Sequence, residues 1–284
     1  MNKPTTLYEH LKSNFKKLKI VCDWDEVIQA CEPYAYWIAA NKEKVESCDW
    51  SDAQCEFPKY FWHYWFINPP LIEYSPYGSK NKVYENLLNR LDYKERMEKQ
   101  VGYKNSPDFY YHAPFLTIAE DLLELIKEKR IAKLIFLSAY DKRKFPNGDP
   151  RKIEIFKQTF YNFHKVTIWD TKKAVDSSAW EQSFLNDCEI RLELIPFDNE
   201  TQGQSKAEWI KRNASNFDLV IDDNPNICKK IIENNNQPLF GSSSTYVANA
   251  HMTVIAPYYP TIKHDERVLL VKNEVSELKK EDFK

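Results

Sequence analysis

Short apolar runs recur along the chain, and between them lie stretches whose apolar residues return every three or four positions. The first run is Lys19-Ile20-Val21-Cys22, which leads straight into Asp23-Trp24-Asp25. Lys133–Leu137, Lys165–Trp169, Arg191–Ile195 and Asp218–Ile221 repeat the pattern, and Thr253–Ala256 reads as an edge strand. Runs this short and this apolar suit strands buried on both faces of a parallel sheet. The intervening segments predict helices. Met1–Lys19 is helix-like, with Leu7, Leu11 and Phe15 spaced by four, and Gln29–Asn41 follows the first strand. Thr117–Lys129 has acids early and bases late, as the helix dipole prefers. Arg151–Tyr161, Ser205–Asn213 with Ser205 as its N-cap, and Pro225–Glu233 with proline at its first position complete the set. The charged tail from Glu274 is expected to fray. Strands alternating with helices predict an α/β fold, a mostly parallel sheet sandwiched by helices.

That alternation is interrupted between the first and second strands. Residues 29–112 are too long for a loop and hold their own periodic stretch, with Val83, Leu87, Leu88 and Leu91 on one helical face. They include the aromatic block Tyr60-Phe61-Trp62-His63-Tyr64-Trp65-Phe66. The expectation is therefore a core domain from residues 1–28 and 113–284, with a mainly α-helical module, 29–112, inserted into it.

Composition narrows the possible activities. The chain has 284 residues and a net charge of −2, so no global field draws it to nucleic acid or to a membrane surface. No run of apolar residues is long enough to span a bilayer. With five glycines and no G-x-x-x-x-G-K-[ST], a P-loop is excluded. Six cysteines without a C-x-x-C pair point to a reducing, cytoplasmic setting, with Cys22 and Cys228 as small buried hydrophobes. Cys48, Cys55 and His63 fit no standard zinc spacing.

The chemistry is concentrated at predicted strand ends. Asp23 and Asp25 follow the first strand, Ser138 the second and Asp222-Asp223 a later one, and Lys206 begins the helix preceding that strand. In open parallel sheets such ends converge on one edge, where ligands bind. Four carboxylates cannot all remain ionised there without a cation, and a hard dication with oxygen ligands, Mg²⁺, meets that need. The set suits phosphoryl transfer. Asp23 attacks phosphorus, Asp25 handles the proton, and Ser138 with the backbone amides of Trp24 and Ala139 binds phosphate oxygens beside Lys206. Lys142-Arg143-Lys144 reads as a solvated triplet or an anion-binding loop, and Lys211 is a rival to Lys206.

In order and type these residues resemble the four motifs of the haloacid dehalogenase superfamily of phosphatases. Val21-Cys22-Asp23-Trp24-Asp25-Glu26-Val27 matches its D-x-D motif, Leu134–Ser138 the second, Lys206 in Ser205-Lys206-Ala207 the third and Leu219–Asp223 the fourth. The resemblance implies a Rossmann-like core with a cap between the first two motifs. It implies Asp23 as nucleophile and Asp25 as acid/base, with Asp23, Asp25 (through its carbonyl), Asp222 and Asp223 around Mg²⁺. The implied substrate is a small phosphorylated metabolite such as a nucleotide. Glu26 stands where that family most often has glycine, which predicts a different turn or an added carboxylate. The alternatives are a binding module of the same fold and, against the near-neutral charge, an enzyme of nucleic-acid phosphate ends.

Overall fold

The computed structural model describes residues 4–14, 16–31, 33–35, 109–160, 165–168, 173–175, 188–197, 204–235, 252–259 and 262–283. The strands are β1 (Leu18–Cys22), β2 (Ile131–Asp141), β3 (Lys165–Ile168), β4 (Lys173–Val175), β5 (Glu189–Phe197), β6 (Leu219–Ile221), β7 (Thr253–Pro257) and β8 (Leu269–Val271). They form one sheet in the order β4-β3-β5-β2-β1-β6-β7-β8. Among the described residues, only the β3–β4 strand pairing is antiparallel; the other seven strands run parallel. The fold is thus a Rossmann-like α/β arrangement.

The helices are α1 (Leu7–Leu11), α2 (Phe109–His112), α3 (Thr117–Lys127), α4 (Pro150–Thr159), α5 (Gln204–Asn213) and α6 (Pro225–Asn235). Side-chain alternation distributes the strands' apolar residues between two cores. Ile20, Cys22, Leu134, Phe136, Ile221 and Ile255 face the core that holds α3 and α4. Val21, Ile135, Leu137, Val220, Val254 and Ala256 face the core that holds α5 and α6. Both faces of the sheet are covered, which explains why the strands read as continuous apolar runs. Among the described residues, no helix is long and apolar enough to cross a membrane.

β1 has β2 on one side and β6 on the other, so the connections diverge at β1 and open a crevice beyond its carboxyl end. The register puts Cys22 opposite both Phe136 and Ile221. Asp23, Ser138 and Asp222 are therefore neighbours by construction.

Several sequence expectations are corrected. β2 runs through Ser138 to Asp141, because β5 continues beside it as far as Phe197. Ser138 is thus inside a strand. Thr253–Pro257 is an interior strand, since β8 pairs with its outer side. Ser205 lies within α5, whose first residue is Gln204, so it is not the N-cap. Phe109–His112, at the end of the expected insert, forms a short helix. The N-terminal helix covers only Leu7–Leu11, closed by a capping box from Thr6 and Glu9. The tail packs down: Phe283 is buried, with its ring 5.2 Å from both Phe115 and Phe160. The aromatic block, the periodic stretch of Val83, Leu87, Leu88 and Leu91, and Cys48, Cys55 and His63 lie outside the described residues, so most of the expected inserted module does too.

Candidate functional site

At its carboxyl end β1 passes directly into Asp23, whose amide donates to the Ile221 carbonyl at 2.8 Å and so stays registered against β6. β6 ends in the same way: the Asp222 amide donates to the Ile255 carbonyl at 3.1 Å. Asn224 then caps α6, accepting from the Asn226 amide at 2.9 Å, with Pro225 at the first helical position. This abrupt change from strand to helix leaves Asp222 and Asp223 at the edge of the crevice, each 1 % exposed.

Each of two lysines holds part of the acidic cluster. Lys206, near the start of α5, places its ammonium 2.7 Å from Asp23 Oδ2 and 2.7 Å from Asp222 Oδ2. Its rival Lys211 is exposed. The second lysine was not foreseen from the sequence. Lys152 Nζ donates to Asp25 Oδ2 at 2.6 Å, to Ser138 Oγ at 2.7 Å and to the Ala139 carbonyl at 2.7 Å. All three of its protons are used.

Local structure delivers Lys152 to that place. Gly148 has φ 88°, and a Cβ there would come within 2.9 Å of the Ile168 side chain, so the turn after β2 requires glycine. Asp149 caps α4 by accepting from the Arg151 amide at 3.0 Å. The Arg151 guanidinium returns to Asp149 Oδ2 at 2.6 Å and lies over the Phe145 and Tyr110 rings. Lys152 is then the third residue of a helix that starts just past the carboxyl end of β2. The available sequence signal was Asp149-Pro150, a helix start following a strand, with a lysine in the first turn.

Asp23, Glu26, Asp222 and Asp223 are buried with Asp25 beside them, and Lys206 and Lys152 each pair with part of this cluster. Burial pushes the Asp23 carboxyl up to about 6, with Lys206 opposing and Asp222 and Asp25 adding to the rise. Burial, then Asp222, Asp23 and Glu26, push Asp223 well above the usual carboxylate range. For Lys206, burial alone would lower the pKa; Asp222 and Asp23 outweigh it, and the group stays protonated. One oxygen from each of Asp23, Asp222 and Asp223 lies within 4.8 Å of the others. Three hard oxygen donors this close together fit a divalent cation, which would hold them ionised. The Asp25 side chain stands apart from this triad, paired with Lys152.

The remaining foreseen residues occupy different roles. Ser138 is fully buried and receives Lys152. The Trp24 amide donates to Asp23 Oδ1 at 2.7 Å. The Trp24 side chain is core: its indole donates to Gln29 Oε1 at 2.8 Å and its ring meets Phe136 edge-on at 5.0 Å. Ala139 contributes its carbonyl to Lys152. Lys142, Arg143 and Lys144 are exposed on the turn after β2. Glu26 adopts φ 58°, the left-handed conformation open to glycine, at a cost of about 1–2 kcal/mol for a residue with a side chain. Both expectations for Glu26 are thereby resolved: the turn is glycine-like, and a carboxylate is added near Asp223.

A scan against models of protein families returned no match, and a search of curated proteins found none similar to the chain.

Proposed function

We propose that this protein is a Mg²⁺-dependent phosphomonoester hydrolase of the haloacid dehalogenase type that works through an aspartyl-phosphate on Asp23. The observation that carries the proposal is the double lysine bridge at one sheet edge: Lys206 joins Asp23 to Asp222, and Lys152 joins Asp25 to Ser138. A nucleophile, an acid/base, an anion-binding hydroxyl and two ammonium groups thus share one crevice, beside a triad suited to a dication. Mg²⁺ bound by Asp23, Asp222 and Asp223 supplies charge neutralisation for the phosphoryl group and for the acids themselves.

In the first step an Asp23 oxygen forms a bond to phosphorus as the bond to the ester oxygen breaks, and Asp25 gives its proton to the leaving alkoxide. Water then attacks the same phosphorus, Asp25 takes its proton, and the Asp23–phosphorus bond breaks to release inorganic phosphate. Lys152 and Ser138 bind phosphate oxygens. When the Lys152 ammonium turns toward the phosphate, its hold on Asp25 weakens and Asp25 can carry a proton. The substrate is a nucleotide or another small phosphorylated metabolite in the cytoplasm, and the segment inserted after β1 caps the site and selects the leaving group.

The test is turnover of p-nitrophenyl phosphate with and without Mg²⁺. Wild-type protein should hydrolyse it only with the metal, and Asp23→Asn should abolish turnover while retaining the wild-type circular dichroism spectrum. Undiminished activity of Asp23→Asn, or full activity in excess chelator, overturns the mechanism. The second reading, a binding module without turnover, is motivated by Glu26 and the aromatic insert; tight binding of one member of a broad phosphoester panel with hydrolysis of none in Mg²⁺ would favour it.

A further inference from the structure

The loop that leaves β1 is fastened by two buried side chains from far along the chain. The Tyr259 hydroxyl, just after β7, donates to the Glu26 carbonyl at 2.6 Å. Asn273, just after β8, directs its amide nitrogen to the Glu26 carbonyl at 3.2 Å, the Val27 carbonyl at 3.3 Å and Tyr259 Oη at 3.3 Å. Its side-chain oxygen accepts from the Ile118 amide at 3.1 Å, which anchors it to the first turn of α3. Both residues are at most 3 % exposed. On the opposite side Gln29 donates to the Tyr110 and Ala113 carbonyls, at 2.9 Å each. Inside the loop, the Ile28 and Gln29 amides donate to the Trp24 carbonyl, and the Glu26 amide to the Gln29 carbonyl.

These contacts converge on Glu26, which adopts a left-handed conformation without being glycine, and the residue before it is Asp25. A glycine turn is free to take φ 58°; a glutamate turn has to be held there. We propose that Tyr259 and Asn273 are positioning residues: by clasping the Glu26 and Val27 carbonyls they keep the turn left-handed and Asp25 in place beside Lys152 and Ser138. The catalytic part of this rests on the acid/base role proposed for Asp25; the clasp itself does not.

Tyr259→Phe removes one hydroxyl and little else, and it tests both parts. An alkyl phosphate needs its leaving oxygen protonated, whereas p-nitrophenolate leaves unaided. The quantity to compare is kcat/KM, which ends at leaving-group departure and omits the later hydrolysis in which Asp25 acts as base. A displaced Asp25 therefore lowers kcat/KM for the alkyl ester about tenfold, the worth of one lost hydrogen bond, and for the aryl ester less than about twofold. Asn273→Ser, which shortens the donor, should give the same split, and it replaces Tyr259→Phe if that variant does not fold. Glu26→Gly in the Tyr259→Phe background should restore part of the alkyl-ester rate, because glycine needs no clasp to take the turn. Equal losses of kcat/KM on both esters, or no loss on either, overturn the positioning role. If wild-type protein hydrolyses neither ester, the proposed function fails, and the clasp is judged by amide hydrogen exchange. The Glu26, Ile28 and Gln29 amides should then exchange about tenfold faster in Tyr259→Phe, and unchanged exchange overturns the clasp.

Discussion

Replacing Lys206 with methionine keeps the length of the side chain and deletes its charge from the centre of the buried acids. The ammonium lies 2.7 Å from two carboxylates, on a side chain only 5 % exposed. At an effective dielectric near 20, each contact is worth about 6 kcal/mol of attraction. Desolvation takes back several kcal/mol per ion, and removing one partner of such a buried pair leaves a net loss of about 3–5 kcal/mol. The loss should depend on pH in a defined direction. Asp23 is raised from 3.8 to about 6 in the folded protein, so the folded state holds more protons than the unfolded state across that window, and this group lowers stability as pH rises through it. Without Lys206, whose charge opposes that rise, the shift grows. The deficit of the variant should be smallest near pH 5, where Asp23 takes up a proton, and largest near pH 8. Urea unfolding in chelator, followed by tryptophan fluorescence and circular dichroism, measures it. Millimolar Mg²⁺ should stabilise wild type and variant by binding the remaining carboxylates. A deficit under about 1 kcal/mol, or one larger at pH 5 than at pH 8, would refute the account of Lys206 as the charge that holds the acids together.

Lys152→Met should lower kcat/KM for an aryl phosphate by about 10²–10³, the usual loss on removing a donor to a developing anion, and wild-type kinetics would remove Lys152 from the site. Its cost in stability should be smaller than that of Lys206→Met in the same urea titration, because Asp25 is 23 % exposed and can rehydrate when its partner is removed. Phe283→Ala should destabilise by about 3 kcal/mol in urea, as expected for a buried aromatic; a change below about 1 kcal/mol would mean that the tail is not packed in solution.

Much of the core was legible in the chain. Asp23 and Asp222 could be placed because each ends an apolar run, and a strand buried on both faces has no other signature. Lys206 was separable from Lys211 only weakly by sequence, since both are charges on one short helix; burial separates them. Lys152 was passed over because it sits in a segment dense with lysine and arginine, where a solvated role is the ordinary one. What marks it is spatial: the length of β2 and the glycine turn after it set where α4 begins, and so which side chain in its first turn reaches Ser138. Tyr259 and Asn273 carry no local signal, because their partners at Glu26 and Val27 are more than 230 residues away.

The alternation of apolar and polar positions was enough to determine an α/β protein with a largely parallel sheet, and to put acids at the end of its first strand. That information is local, since periodicity reports which faces of an element must leave water. Which ammonium meets which carboxylate, whether Thr253–Pro257 lies inside the sheet or at its edge, and how a glutamate keeps a glycine's conformation were decided only when distant segments packed together. Those outcomes depend on strand order, register and long-range hydrogen bonds, for which neighbouring residues carry no pattern.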